Sequence, residues 1–271
     1  IYAEQVKMRN QVSLVSAGVA STDTAVVRGD ALQTIIRPAY SGGAVSVYAN
    51  GITAYDDPAT GASLQTLLQG FTIASSLIGD PALGFTNDNS IGLVLDNATM
   101  RVQDNYFINS GVGVYAKTSS SGTGTSSLVN NGFIGNTKGV YIDDAGGTPP
   151  SATTYLVNNT FAYNTYGLWA QNSASTGSNQ AYLANNIFWQ NHDQSASRNG
   201  LGIYSATPNH LNLNNNMFSG NGQSDSLNWW AGYNVGNGFD LTKLGPNATN
   251  AASNLGNFTG WPAFVSPIDP R

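Results

Sequence analysis

The sequence predicts an all-β fold, a parallel β-helix solenoid with three short strands in each coil of about 27 residues. The first observation is a repeated phrase, Asn-x-Phe, followed two or three residues later by another Asn and then usually by Gly-aliphatic-aromatic. The second is its spacing, because successive phenylalanines lie 26, 28, 27 and 30 residues apart (Phe107, Phe133, Phe161, Phe188 and Phe218). The third is that no segment shows the 3.6-residue periodicity of an amphipathic helix.

One copy of the phrase shows how each element follows from its residues. Leu156 faces inward near the end of a strand, and Asn158-Asn159 makes a tight bend because asparagine tolerates the left-handed conformation. Phe161 returns to the interior, and Asn164 marks a second bend. The run Gly167-Leu168-Trp169-Ala170 then alternates as a strand, with its Trp directed outward. A variable loop rich in Ser, Thr and Gly leads to the next coil.

Stacking such coils about 4.8 Å apart aligns equivalent residues in columns. We therefore predict that the five phenylalanines form an internal aromatic stack. An internal amide ladder should run through Asn105, Asn131, Asn159, Asn186 and Asn216. A second polar column should run through Ser110, Asn136, Asn164, Asn191 and Asn221. All three columns are interpreted as scaffold.

Composition excludes several classes of function. Charged residues make up 9% of the 271 residues, and the formal net charge is −5. The ten Lys and Arg residues are scattered, so no basic footprint for nucleic acid is expected. Cysteine is absent, which excludes disulfides, thiol catalysis and cysteine metal sites. No run of about 20 apolar residues occurs, so no membrane span is predicted. The neutral polar surface favours a secreted, extracellular or cell-surface location.

These residues resemble a known group. The phrase Asn-x-Phe-x-x-Asn-x-x-Gly, the run Gly70-Phe71-Thr72-Ile73 and the opening Tyr2-Ala3-Glu4-Gln5-Val6 look like right-handed parallel β-helix repeat proteins of the pectate-lyase-like superfamily. The segments Asn186–Asn191 and Trp261–Val265 are similar to a secreted bacterial subgroup that ends in anchoring or sorting domains. The resemblance covers nearly the whole chain and implies the fold. It implies no single activity, because lyases, hydrolases, epimerases, adhesins and inert surface proteins share this scaffold.

The resemblance also implies that the Gly-aliphatic-aromatic strand is the first strand of each coil, whose outer face forms the saccharide groove in the family's enzymes. The outward aromatic positions on this strand are Tyr115, Tyr141, Trp169 and Tyr204. Sugar rings stack their C–H faces on aromatic rings, so this column is the candidate ligand-binding surface. The alternative is that the rings pack against like neighbours or lie beneath the C-terminal segment.

Charged residues near the same strand are candidates for catalysis, namely Asp143, Asp144, Asp193 and Arg198. Paired carboxylates such as Asp143-Asp144, or the second doublet Asp56-Asp57, serve glycoside hydrolysis or bind Ca²⁺. Asp is equally a common turn residue. Lys117 is expected to neighbour Asp143 and to form an exposed ion pair with it.

One coil is longer than the others, because an insertion after Asn191 adds residues that include His192, Asp193 and Arg198. It is predicted to border the first-strand face, where a cation would offset the charge of a uronate substrate of a lyase. Charged insertions are also common in solvent. No cofactor is expected, with Ca²⁺ at an acidic doublet as the alternative.

Residues 1–226 are predicted to form the β-helix, and 227–271 an irregular segment that packs on it or caps it. Both ends look like cuts in a longer chain. The observations favour an extracellular, non-catalytic surface or matrix domain that contacts polysaccharide or neighbouring proteins through its aromatic face. A polysaccharide lyase or glycoside hydrolase working at that face is one alternative, and a purely structural spacer or array subunit is the other.

Overall fold

The computed structural model describes residues 2–3, 6–8, 13–16, 35–37, 50–55, 66–74, 91–96, 98–118, 125–144, 153–172, 180–192, 200–205, 211–221 and 258–259. Within these ranges the only regular elements are strands. In chain order they are β1 (Tyr2–Ala3), β2 (Val6–Met8), β3 (Ser13–Val15), β4 (Ile35–Arg37), β5 (Asn50–Tyr55), β6 (Thr66–Gln69), β7 (Thr72–Ala74), β8 (Ile91–Asp96), β9 (Met100–Gln103), β10 (Tyr106–Ile108), β11 (Val112–Thr118), β12 (Thr125–Val129), β13 (Gly132–Ile134), β14 (Lys138–Asp144), β15 (Thr153–Val157), β16 (Thr160–Ala162), β17 (Tyr166–Asn172), β18 (Gln180–Ala184), β19 (Ile187–Trp189), β20 (Leu201–Ser205), β21 (Leu211–Asn214), β22 (Met217–Ser219) and β23 (Phe258–Thr259).

The strands form three parallel sheets. Sheet 1 has the order β2-β5-β8-β11-β14-β17-β20, sheet 2 the order β3-β6-β9-β12-β15-β18-β21, and sheet 3 the order β1-β4-β7-β10-β13-β16-β19-β22-β23. Up to β22 the chain visits the sheets in rotation, so each coil adds one strand to each sheet. This is a right-handed parallel β-helix, which confirms the predicted fold.

A column of aligned phenylalanines runs through the aliphatic core. Phe107, Phe133, Phe161, Phe188 and Phe218 are register partners in sheet 3, and all five side chains are fully buried. Consecutive ring centroids are 5.2, 4.8, 4.6 and 4.9 Å apart, with nearly parallel planes. The coil spacing therefore sets the stacking distance, and the predicted aromatic column is confirmed.

The bend between sheets 2 and 3 carries the predicted amide ladder. Oδ1 of Asn159 accepts hydrogen bonds from the backbone N–H and the side-chain amide of Asn131, at 2.9 and 3.1 Å. Nδ2 of Asn159 donates to the carbonyl of Leu128 at 2.8 Å and to Oδ1 of Asn186 at 3.0 Å. The residue before each ladder asparagine is left-handed, with φ between 53° and 56° (Asp104, Asn130, Asn158, Asn185 and Asn215). On each coil, the bend therefore consists of two residues, a left-handed residue and the ladder asparagine that follows it.

The second polar column lies at the bend between sheets 3 and 1. Its members, Ser110, Asn136, Asn164, Asn191 and Asn221, are buried and joined from coil to coil, as predicted. The bend that Asn164 was predicted to mark is present. Asn164 occupies the ladder, and the left-handed residue is Tyr163, with φ of 57°.

A close approach of the coils explains the glycine in the repeated phrase. A Cβ on Gly139 would lie 2.5 Å from the carbonyl oxygen of Gly167 on the next coil and 3.0 Å from Cδ1 of Phe161. The same backbone contact recurs at Gly113 and Gly167. No side chain fits between these backbones, so glycine is required at these three positions of the sheet 1 strands.

The described part of the C-terminal segment is the short strand β23. Phe258 and Thr259 pair in parallel with Met217 and Phe218 and thereby extend sheet 3. The remainder of 227–271 lies outside the described residues, and the domain boundary at residue 226 stays a prediction. Among the described residues, no helix has the length and apolar character that a membrane crossing requires.

Candidate functional site

The aromatic column lies on the outer face of sheet 1. Tyr115, Tyr141, Trp169 and Tyr204 are register partners on four successive coils, and each is half-buried. The residues on either side of Tyr115, Val114 and Ala116, are buried, which is the alternation expected of a strand with one face on the core. Val94 holds the same position on the preceding coil.

Contacts between the rings join the column into a continuous surface. Tyr115 and Tyr141 stack with centroids 4.9 Å apart, and Tyr141 meets Trp169 edge to face at 6.5 Å. The Trp169 and Tyr204 centroids are 4.2 Å apart. Sequence reasoning missed Tyr166, whose ring meets Trp169 edge to face at 4.6 Å. We call these five residues, Tyr115, Tyr141, Tyr166, Trp169 and Tyr204, the aromatic band.

Tyr166 was missed because strict alternation places it on the opposite side from Trp169. Gly167 lies between them, where two coils approach closely, and it interrupts the alternation. Tyr166 and Trp169, which are three residues apart, consequently share the outer face. The neighbouring coil has the same arrangement, because Lys138 is the register partner of Tyr166. The sequence does contain a signal for this outward position: it is the residue that directly precedes the recurring glycine of the phrase, such as Lys138 before Gly139.

Lys138 brings a cation into the aromatic band. Its Nζ lies 4.7 Å from the ring centroid of Tyr141 and 4.7 Å from that of Trp169. Ammonium groups within about 6 Å of a ring centroid are attracted by the negative ring face. The aromatic band therefore has a positively charged centre, which sequence analysis did not predict.

A row of charged residues lies beside the aromatic band, and it corrects one prediction. Lys117 is the register partner of both Asp96 and Asp143. Its ion pair is with Asp96, at 2.9 Å, and not with Asp143 as expected. Asp143 instead accepts a hydrogen bond of 2.8 Å from the hydroxyl of Tyr115. We call Asp96, Lys117 and Asp143 the polar row.

Asp96 was missed because its coil lacks the Asn-x-Phe phrase. The run Ile91-Gly92-Leu93-Val94-Leu95 nevertheless has the glycine-aliphatic alternation of the other sheet 1 strands. Gly92 also approaches the next coil, since an added Cβ would lie 2.6 Å from the carbonyl oxygen of Gly113. That alternation is the signal that places Asp96 in line with Lys117.

The remaining candidates lie at the edge of what the structure describes. Asp144 is the last residue of β14, and only its backbone is described. Asp193, Arg198 and the doublet Asp56-Asp57 lie outside the described residues. His192 is half-buried, and a Cβ on Gly200 would lie 2.7 Å from its Cα, so the insertion leaves and rejoins the coil beside the start of β20.

The site offers stacking surfaces, a cation and two separated carboxylates. Asp96 and Asp143 stand two rungs apart, about 9.6 Å between backbones at the usual strand spacing. Within the described part of the chain, no group of three His, Cys, Asp or Glu side chains is arranged to hold a metal ion. The arrangement suits recognition of a ring-shaped polar ligand by C–H contact and hydrogen bonds.

Comparison of the sequence with models of known protein families finds no match, and comparison with curated proteins finds none either. The fold and the geometry of the outer face of sheet 1 therefore carry the functional argument.

Proposed function

We propose that this protein is an extracellular, non-catalytic β-helix domain of a cell surface or matrix, which contacts polysaccharide through the aromatic band. We also propose that it belongs to the pectate-lyase-like superfamily, since the three parallel sheets and the buried asparagine ladders support that resemblance. The single observation that carries the function is the line of half-buried rings on successive coils of sheet 1.

Coil spacing makes this line suitable for a polymer. Rings on successive coils repeat at about 4.8 Å along the solenoid axis, so a chain lying along that axis would meet a ring on every coil. Tyr115 and Tyr141 stack face to face, so the polymer would contact their edges and the ring faces that neighbouring residues leave uncovered, and polar side chains beside the rings offer hydrogen bonds to hydroxyl groups. The contact would extend over four coils, from Tyr115 to Tyr204.

The polar row favours binding over catalysis. Asp96 is held in an ion pair with Lys117, and Asp143 is held by the hydroxyl of Tyr115. Both carboxylates therefore already have partners within the scaffold. A glycosidase needs one carboxylic acid that donates a proton and one carboxylate that attacks or activates water. In both contacts the carboxylate oxygen is the acceptor, so neither contact supplies the proton-donating acid.

Glycoside hydrolysis is the second candidate function, and one observation favours it. The backbones of Asp96 and Asp143 stand two rungs apart, about 9.6 Å, a spacing that can accommodate the separation of about 6.5–9.5 Å between the carboxyl groups of inverting enzymes. Under this alternative the two carboxylates would flank a sugar on the sheet 1 face. The polymer would then be cleaved as well as bound.

A glycan array followed by calorimetry tests the proposal. The protein should bind at least one polysaccharide, and Trp169→Ala should weaken that binding by about tenfold or more, a loss of about 1.4 kcal/mol. The matched control is Tyr106→Ala on the outer face of sheet 3, which should bind like wild type. If the protein binds no glycan, a purely structural role as a spacer or array subunit becomes the better interpretation.

A product assay on the bound polysaccharide separates binding from catalysis. New reducing ends or unsaturated products, present with wild type and absent with Asp143→Asn, would overturn the non-catalytic proposal. Unchanged polymer together with Trp169-dependent binding would support it.

A further inference from the structure

One bend between sheets 2 and 3 carries a sequence motif that the proposed function does not use. Asn158, Asn159 and Thr160 read Asn-x-Thr, the acceptor motif for N-linked glycans at the surface of secreted proteins. Asn158 is exposed and left-handed, with φ of 56°, Asn159 is buried in the amide ladder, and Thr160 begins β16. The buried middle residue therefore holds the bend so that the acceptor asparagine stands outside the coil.

The two side-chain groups that N-glycosylation requires make no hydrogen bond within the described part of the chain. They are the amide of Asn158 and the hydroxyl of Thr160. The equivalent residue on the preceding coil differs, since Nδ2 of Asn130 donates a hydrogen bond of 2.6 Å to Oδ1 of Asp104. The amide nitrogen of Asn158 can consequently react without the loss of a hydrogen bond.

Other coils place an asparagine at the same exposed, left-handed position, namely Asn130, Asn185 and Asn215. None of these has a hydroxyl group two residues later, where the chain has Gly132, Ile187 and Met217. The acceptors of three further Asn-x-Thr motifs, Asn97, Asn247 and Asn257, lie outside the described residues. Of the four exposed asparagines at this bend, Asn158 alone belongs to an acceptor motif, and the others are its matched controls.

We propose that Asn158 is an N-glycosylation acceptor, modified by an oligosaccharyltransferase that uses a lipid-linked oligosaccharide as donor. In the transfer, the amide nitrogen of Asn158 loses one proton and forms a bond to the anomeric carbon of the first sugar. The bond from that carbon to the lipid diphosphate breaks, and the diphosphate leaves with the electron pair. The glycan would extend from the corner between sheets 2 and 3 and would leave the outer face of sheet 1 uncovered. The modification requires passage through a secretory compartment, as the proposed extracellular location implies, and not polysaccharide binding by the aromatic band.

Secretion of the protein from eukaryotic cells behind a leader peptide tests the proposal. The tryptic peptide of residues 139–198 contains one acceptor motif, that of Asn158, so its mass reports this site. We expect the peptide to carry a glycan, and peptide N-glycosidase should remove it and leave aspartate at position 158. Thr160→Val keeps a β-branched side chain and removes the hydroxyl group, so the glycan should be lost. Asn158→Gln should lose it as well.

A gain of glycan on the next coil tests the role of the bend. Ile187 is the register partner of Thr160 and is also half-buried. In the Thr160→Val background, Ile187→Thr makes Asn185 the start of an acceptor motif at the equivalent bend. We expect the peptide of residues 139–198 to carry its glycan at Asn185 in this double variant. Ile187→Val in the same background is the control and should carry none.

Circular dichroism and urea unfolding of each secreted variant show whether the fold is retained. Two results would overturn the proposal: an unmodified Asn158 in the secreted wild type, or equal glycan occupancy of Asn158 in wild type and Thr160→Val. An unmodified Asn185 in the folded double variant would show that this bend does not present an acceptor, and would overturn it as well. Occupancy is measured by mass alone, so a failure of this proposal is distinguishable from a failure of polysaccharide binding.

Discussion

The hydroxyl of Tyr115 donates a hydrogen bond of 2.8 Å to Oδ2 of Asp143 on the next coil. This bond joins the aromatic band to the polar row, because Tyr115 belongs to the first and Asp143 to the second. The most prominent carboxylate of the predicted site is therefore part of the scaffold that holds a ring. That relationship changes what a substitution at either residue should do.

Tyr115→Phe keeps the ring stacked on Tyr141 and removes the hydrogen bond to Asp143. A hydrogen bond to a charged group contributes about 1.5–3 kcal/mol, and the low end applies to these half-buried residues. We expect the free energy of unfolding in urea to fall by about 1.5 kcal/mol. In a double-mutant cycle with Asp143→Ala, the coupling energy should account for most of that loss. Additive effects would show that the bond contributes nothing.

Asn159→Asp should be strongly destabilising, although the side chains have nearly the same shape. The carboxylate cannot donate the bonds that Nδ2 makes to the Leu128 carbonyl and to Oδ1 of Asn186, and it places charge in a buried ladder. The expected loss is about 3 kcal/mol or more by urea denaturation. Its neighbour provides the control, since Asn158 is exposed and left-handed, and Asn158→Asp should change stability by less than about 0.5 kcal/mol. Equal effects at the two positions would contradict the ladder.

Gly139→Ala should lower stability by about 1–3 kcal/mol, because the new Cβ would lie 2.5 Å from the backbone oxygen of Gly167. Neither backbone can retreat without disturbing the sheet 1 pairing. Gly132→Ala is the comparison, since its Cβ would meet the half-buried ring of Tyr106, which can rotate away. Chemical denaturation of both variants should rank Gly139→Ala as the more damaging. The reverse order would mean that the coils can separate at the glycine column.

Lys138→Met tests the cation within the aromatic band while keeping most of the aliphatic stem. Loss of the ammonium above Tyr141 and Trp169 should reduce stability by about 0.5–1 kcal/mol. The coupling should appear in a cycle with Trp169→Leu, measured by denaturant unfolding. If Lys138→Met costs the same in the presence and absence of the Trp169 ring, the ring does not hold the cation.

Substitution of Lys138 should change the affinity for polysaccharide only by altering the rings that its ammonium group contacts. If the proposed function is right, Trp169→Ala weakens binding more than Lys138→Met does, because the stacking surface is lost rather than its charged neighbour. A larger effect of Lys138→Met would indicate recognition led by charge. Titration calorimetry at two salt concentrations distinguishes these outcomes, since charge-led binding weakens in salt.

Much of the fold was readable from the chain because a parallel in-register solenoid turns a sequence period into a spatial column. Five copies of Asn-x-Phe sufficed to place the phenylalanine stack, both polar columns and the line from Tyr115 to Tyr204. The position of Asp96 was not predicted because its coil lacks the phrase. The outward position of Tyr166 was not predicted because a glycine interrupts the alternation of the strand.

For the repeated phrase itself, residue spacing alone predicted which side chains are buried, which share a column and that Tyr115, Tyr141, Trp169 and Tyr204 face outward. Only the tertiary structure decided which neighbour each outward side chain contacts. Lys117 has an aspartate on each flanking coil and pairs with Asp96, and Lys138 leans onto Tyr141 and Trp169. Register fixes the rung on which a residue's backbone lies, but a long side chain can contact the coil before it or the coil after it. Its choice depends on the charges and rings that the neighbouring coils present.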